Sequence, residues 1–214
     1  MKRMGHVPPG RTGRLWLERR LEVARRGVDL LDRKRQVLLA EGERLERVAA
    51  DTATAWQDTC READAWLVRV LLLGGERAIR LGTGETAQVD IEWARSMGVR
   101  YPASATVTTP AEPLRDDPLD GPAVFDARRS HRAALEAAVR HAAALAAVRT
   151  VRAEERTTAR RMRALSQRWI PALEDELRRL RLELEEQEHA DAVRRRWVMD
   201  RRTADGPRQP EAGT

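Results

Sequence analysis

Apolar and small residues recur along the first third of the chain in alternating steps of four and three. They run Leu17, Leu21, Ala24, Val28 and Leu31, then Leu38, Leu45, Ala49, Ala63, Trp66 and Val70, to Leu73. Arg35, Gly42, Thr52, Trp56 and Thr59 fill the intervening places, and no proline interrupts. This alternation is the spacing of a coiled-coil seam, a stripe along one side of a helix that a partner of similar length must cover. It predicts a first long helix within residues 1–73, starting near Arg11 after Pro8, Pro9 and Gly10 and stopping at Gly74-Gly75.

The period then shortens. Val89, Ile91 and Trp93 alternate with Gln88, Asp90 and Glu92, the pattern of a two-faced strand. Beyond a turn at Ser96 to Gly98, the stretch from Val99 through Tyr101 to Thr109 is rich in β-branched residues, and Pro102 confines part of it to a sheet edge. Residues 74–126 are therefore expected to form a small β-hairpin knob followed by a Pro- and Asp-rich loop at 110–122. Val89, Ile91, Trp93, Val99 and Tyr101 are its candidate contact residues.

Helical spacing returns for a second long helix, expected over 127–202, with a disordered tail at 203–214. Its seam is expected at Leu135, Ala138, Ala142 and Leu145, then at Met162, Leu165, Trp169, Leu173, Leu177, Leu180 and Leu184. The last group steps in elevens, which relaxes a left-handed supercoil. Pro171 lies inside it and predicts a bend or a local defect. Two helices of matching length suggest an antiparallel hairpin in which facing residue numbers add to about 208, for example Val28 with Leu180 and Ala24 with Leu184. Trp66 would then face Ala142, large against small. A parallel homodimer also accounts for the first heptads, but it leaves the second helix without a reason. The expected fold class is all-α dominated, a long antiparallel two-helix coiled coil with a small β-hairpin knob in the middle.

Composition agrees with a thin seam rather than a thick core. Charged residues make up 35% of the chain and aromatic ones only 4%. The net charge of +6 is carried by arginine, since Lys2 and Lys34 are the only lysines. Cys60 is alone, so no internal disulfide framework exists, and a reducing compartment is expected. The longest apolar run, Ala65 to Leu73, is too short to span a bilayer and contains Arg69. The basic N-terminus lacks the apolar core of a signal peptide. A cytoplasmic chain is expected, peripheral to a membrane at most.

No catalytic, cofactor or metal site is expected. The glycines of GGERAIRLGTG do not make a phosphate-binding loop. His6, His131, His141 and His189 are scattered. The acidic run from Glu174 to Glu188 pairs at helical spacing with Arg178, Arg179 and Arg181. Arginine patches on both helices permit nucleic-acid binding, but interleaved acidic residues and the lack of stacking aromatics argue against it.

Three segments, in this order, resemble the D subunit of V/A-type rotary ATPases. The first holds Pro9, Leu17, Leu21, Ala24, Gly27, Leu30, Leu31, Lys34 and Arg35. The second is MGVRYP, Met97 to Pro102. The third holds Arg160, Arg161, Ala164, Leu165, Ile170, Pro171, Leu184, Glu185 and Glu186. Asp32, Val28 and Arg163 depart from the family pattern.

The resemblance implies a non-catalytic central-stalk axle whose paired chain ends enter the catalytic hexamer. Arg11, Arg14, Arg25, Arg26, Arg160, Arg161, Arg163 and Arg194 would then be the contact residues at that tip. Its implied partners are the catalytic and non-catalytic nucleotide-binding subunits, a small central-stalk subunit near the knob, and a funnel-shaped adapter of the membrane rotor ring. Neither nucleic acid nor direct membrane insertion is implied. The competing class is a free-standing coiled-coil scaffold or export-apparatus stalk, which has no need of the knob.

Overall fold

The computed structural model describes residues 7–81, 86–110 and 121–204. Helix α1 spans Gly10–Leu81, and a two-stranded sheet follows, β1 over Gln88–Ser96 and β2 over Val99–Thr108. Helix α2 covers Pro122–Ala164, a π-helical turn covers Leu165–Trp169, and α3 covers Ile170–Ala204. Two long helices packed against each other, with one small antiparallel hairpin, form the fold that the periodicity predicts. The tail expected at 203–214 and the loop expected at 110–122 lie largely outside the described residues, as do Gly82 and Gly84.

Two boundaries differ from the sequence reading, and the defect expected at Pro171 is present. The first helix does not stop at Gly74-Gly75. It breaks at Gly75, where φ is +63° and only glycine is unstrained, and then resumes to Leu81. The defect expected at Pro171 is a π-turn immediately before it: the Ile170 N–H donates to the Leu165 carbonyl, five residues back. The second helix begins at Pro122, with proline in its first position, where a missing N–H costs nothing.

The chain folds as two compact units, one made of its two ends, up to Leu31 and from Arg161, and one made of Asp32–Arg160. In the unit of the ends, Leu17, Leu21 and Ala24 of α1 bury against Leu173 and Leu177 of α3, with Trp16, Trp169, Ile170 and Leu180 around them. Leu17 and Leu173 are fully buried, and each such leucine contributes about 1.5–3 kcal/mol. Val28, Leu31, Leu165, Leu180 and Leu184 are half-buried beside this seam.

In the middle unit, Leu38, Gly42, Leu45, Ala49, Ala63 and Val70 of α1 are buried and Trp66 is half-buried, while Leu73, at the foot of the stripe, is 78% exposed. The inner face of α2 is not the one expected. Ala127, Ala134, Ala137, Ala144, Ala147 and Val151 are buried, whereas Leu135 and Leu145 are exposed. Each exposed leucine is one residue, about 100°, off the buried stripe. Hydropathy ranks leucine above alanine, but small residues let two helices approach closely, and alanine wins the inner face.

Register differs as well. In the ion pairs Arg11–Glu188, Glu18–Arg181 and Arg25–Glu174 the residue numbers add to 199, not 208. The Leu165 side chain approaches Gly27, and that of Leu180 approaches Gly13. Val28 and Leu180 are therefore not facing partners. The seam contacts Gly27–Leu165 and Gly13–Leu180 add to 192 and 193, so the true register is displaced by about two heptads, and a seam repeating every seven residues distinguishes such slips poorly, because each returns similar faces to the partner.

Candidate functional site

The hairpin docks on the helices from which it emerges. Tyr101 is buried with Leu38 and Leu45 of α1 and Ala147 and Val151 of α2, and Ala94, Val99 and Val148 pack on the same cluster. The turn at Met97-Gly98 has positive φ at both residues, +47° and +81°, as a two-residue hairpin requires. Pro102 sits beside a bulge, since Glu92 pairs with Ser104 and Trp93 with Pro102, which leaves Ala103 without a partner across the ladder. The Tyr101 hydroxyl donates to Glu41 Oε1 at 2.6 Å, and Arg44 donates to both Glu41 oxygens at 2.7 and 3.1 Å. Arg44, with help from Tyr101, holds the Glu41 carboxyl below its ordinary value, although partial burial opposes this. Burial, then the Glu41 carboxylate, pushes the Tyr101 phenol up.

The five hairpin residues divide by face. Tyr101 and Val99 turn toward the helices. Val89, Ile91 and Trp93 are 45%, 47% and 51% exposed, an apolar outer face. Arg100 lies over the Trp93 ring at 4.4 Å, and Ser104 donates to Glu92 at 2.7 Å.

A polar layer crosses the helix pair beside the hairpin. Lys34 meets Glu154 at 2.7 Å, Arg35 meets Glu155 at 2.9 Å, and Arg152 grips Glu46 with two bonds of 2.7 Å. Glu155 is buried, so Arg35, which occupies a seam position in the heptad, supplies the charge that makes this burial tolerable. The Glu46 carboxyl is lowered and the Arg152 guanidinium raised by their mutual hydrogen bonds. Further along, His141 Nδ1 is 3.2 Å from the Thr52 hydroxyl, with its ring stacked on Trp56, while His131 Nδ1 lies 2.8 Å from the Ala127 carbonyl. The two histidines serve separate local contacts.

At the paired ends, the arginines singled out by sequence are exposed but mostly engaged. Arg11 pairs with Glu188 at 2.8 Å, Arg25 with Glu174 at 2.7 Å and Arg194 with Asp191 at 3.6 Å. Arg26 pairs with Glu22 one turn away. Arg14 and Arg161 make no ion pair among the described residues, and Arg163 lies exposed in the last turn of α2. Arg160 belongs to the middle unit and donates to Thr157 at 3.2 Å, so it is not grouped with the others.

Sequence reasoning missed one arrangement here. The Arg20 guanidinium lies 4.8 Å from the Trp16 ring and 5.4 Å from the Trp169 ring, bridging α1 and the π-turn. The i,i+4 spacing of Trp16 and Arg20 was legible, but the phase of Trp169 depends on the π-turn. The Tyr101–Glu41–Arg44 set was not legible at all, because Tyr101 and Glu41 are 60 residues apart.

Among the described residues, no helix is long and apolar enough to cross a membrane. The family model for the ATP synthase D subunit matches residues 15–200, most of the chain. The V-type ATP synthase D subunit of Thermus thermophilus is 31% identical over 195 residues, covering 89% of this chain and 86% of the relative. That of Anaeromyxobacter sp. strain Fw109-5 is 31% identical over 205 residues, covering 93% and 95%. The A-type ATP synthase D subunit of Methanopyrus kandleri is 28% identical over 199 residues, covering 91% and 86%. With helices, hairpin and end-to-end similarity in agreement, the chain belongs to the D-subunit family of V/A-type ATP synthases.

Proposed function

We propose that this chain is the non-catalytic central-stalk axle of a V/A-type rotary ATP synthase or ATPase. It transmits torque between the catalytic hexamer and the membrane rotor ring, coupling ATP synthesis or hydrolysis to proton or sodium transport. The observation that carries the reading is the set of charge pairs joining the two helices, Arg11–Glu188, Glu18–Arg181 and Arg25–Glu174 at the paired ends and Arg35–Glu155 and Glu46–Arg152 in the middle. A shaft under torque fails when one helix slides past the other, and an apolar heptad alone resists sliding poorly. Charge pairs at fixed positions oppose it. ATP chemistry belongs, in this reading, to the nucleotide-binding subunits, which the paired ends enter. The apolar outer face of the hairpin holds the small stalk subunit. The opposite ends of the helices meet the funnel-shaped adapter, keeping the chain on the cytoplasmic side, peripheral to the membrane.

The test is a chain truncated after Arg168. It lacks α3 and with it Leu173 and Leu177, the fully or nearly fully buried half of the end seam. Assembly with the catalytic hexamer, and ATP turnover of the assembled complex, are expected to fall well below the full-length level. Single changes of the exposed Arg25 or Arg161 to alanine are expected to have little effect, since an exposed pair such as Arg25–Glu174 contributes about 0–1 kcal/mol and Arg161 makes no ion pair among the described residues. Full assembly and turnover with the truncated chain would overturn the reading.

A further inference from the structure

Residues 76–81 of α1, beyond the break at Gly75, are helical again and lie against the start of α2. Ile79 shows what the break does. It lines one cleft with Val70, Val124 and Ala127. Nine residues separate Val70 from Ile79, about 900° of helix, so a straight α1 holds them on opposite sides. In a straight helix Ile79 instead follows Val68 and Leu72, at steps of four, three and four through Gly75. Val68 and Leu72 are 54% and 81% exposed. The break thus takes Ile79 out of an exposed apolar stripe and tucks it beside α2.

Both glycines suit the bent form alone. Gly75 has φ +63° and ψ −167°, a region that only glycine occupies without strain. A Cβ on Gly74 meets the Ala78 Cβ at 2.7 Å, a clash. On a straight helix the Cβ atoms of residues four apart stay about 5–6 Å from each other. The bent segment is also lightly held. Of residues 76–80, Ala78 and Ile79 are half-buried. Two open clefts, of about 260 and 600 Å³, remain between the segment and α2, with Ala78 and Val124 lining both.

We propose that this end of α1 is a two-state switch. In the bent form Ile79 packs against α2. In the straight form α1 runs on unbroken, and Val68, Leu72 and Ile79 make one stripe that a partner helix covers. The axle reading puts the funnel-shaped adapter at this end, and the proposal rests on that reading for the partner. The adapter binds the straight form in preference to the bent one, so docking straightens the shaft.

The experiment uses the full-length chain with Cys60→Ser and spin labels on Arg80→Cys and Arg129→Cys, both exposed positions. Arg80 pairs within its own segment, with Glu76 at 3.4 Å, so replacing it leaves the contact with α2 in place. The label-to-label distance is short in the bent form and longer in the straight one. The ratio of long to short is expected to rise about thirtyfold or more in Gly75→Ala, which strains the bent form and favours the straight one. It is expected to rise also in Gly74→Ala. Adding the purified adapter of the same organism to the chain without glycine changes is expected to give the same long distance. Leu72→Glu is expected to leave the free chain's distance unchanged and to weaken adapter binding about tenfold or more. A short distance that persists in both glycine variants would overturn the proposal and leave the axle reading standing. So would loss of helix in place of a longer distance, or adapter bound at the short distance. Straightening in the glycine variants, with no adapter binding to any form, would keep the switch and overturn the reading on which its partner rests.

Discussion

Tyr101 is the only tyrosine in the chain, and it joins three elements: its ring fills the seam between α1 and α2 and its hydroxyl ends on Glu41. A hydrogen bond to a charged group contributes about 1.5–3 kcal/mol. Tyr101→Phe is expected to lower stability to denaturant by about that much, with far-ultraviolet circular dichroism unchanged. The pH dependence separates the two partners. Glu41 is held below its ordinary 4.5, so its contribution is present above that value and is lost as pH falls through the lowered one. Tyr101 is held above its ordinary 10, so its contribution is complete below pH 10 and is lost as pH rises through the raised value. Thermal midpoints measured across this range are expected to fall on both sides, and Tyr101→Phe is expected to remove the alkaline fall that Tyr101 causes. The sequence marked Tyr101 as a hairpin residue but not as its anchor. Strand alternation shows which residues share a face, and only the packed fold shows which face is buried.

At the scale of elements, the π-turn sets the phase of α3. One residue beyond α-helical spacing rotates everything after it by about 100°. Upstream, α2 buries Val151, Thr158 and Ala159; downstream, α3 buries Leu173 and Leu177. Deleting Gln167 is expected to restore α-helical spacing and swing both leucines out of the seam. At about 1.5–3 kcal/mol each, the loss should exceed about 3 kcal/mol in a denaturant titration. Pro171→Ala restores an N–H but leaves the residue count alone, so it is expected to change stability by less than about 1 kcal/mol. The steps of eleven and Pro171 made a defect legible here. Its type was not, because an inserted residue and a lost hydrogen bond leave similar traces in spacing, and the facing helix decides between them. The same limit explains α2: a count of apolar residues favours Leu135 and Leu145, while close approach favours Ala134, Ala137 and Ala144.

At the scale of the whole molecule, two antiparallel helices were legible from matched lengths and the glycines and prolines between them. Their register was not. Cysteines at Leu21 and Leu173, with Cys60 replaced by serine, are expected to crosslink within one chain, whereas the pair Val28 and Leu180 is expected to react much less. Crosslinks found only between chains would refute the antiparallel pairing. The seam accepts slips of seven residues, so register rests on features that do not repeat: Arg35–Glu155, Glu46–Arg152, Glu18–Arg181, and the residue added at the π-turn. That division of labour has a kinetic side. A collapsing chain meets several hairpins of almost equal burial, each a shallow trap that must unzip before the native one forms. The charge pairs and the π-turn rank them. Dissolved salt screens those charges over about 10 Å at 0.1 M and more strongly above, so ionic strength at the moment of folding, rather than in the finished protein, is where the ranking is weakest.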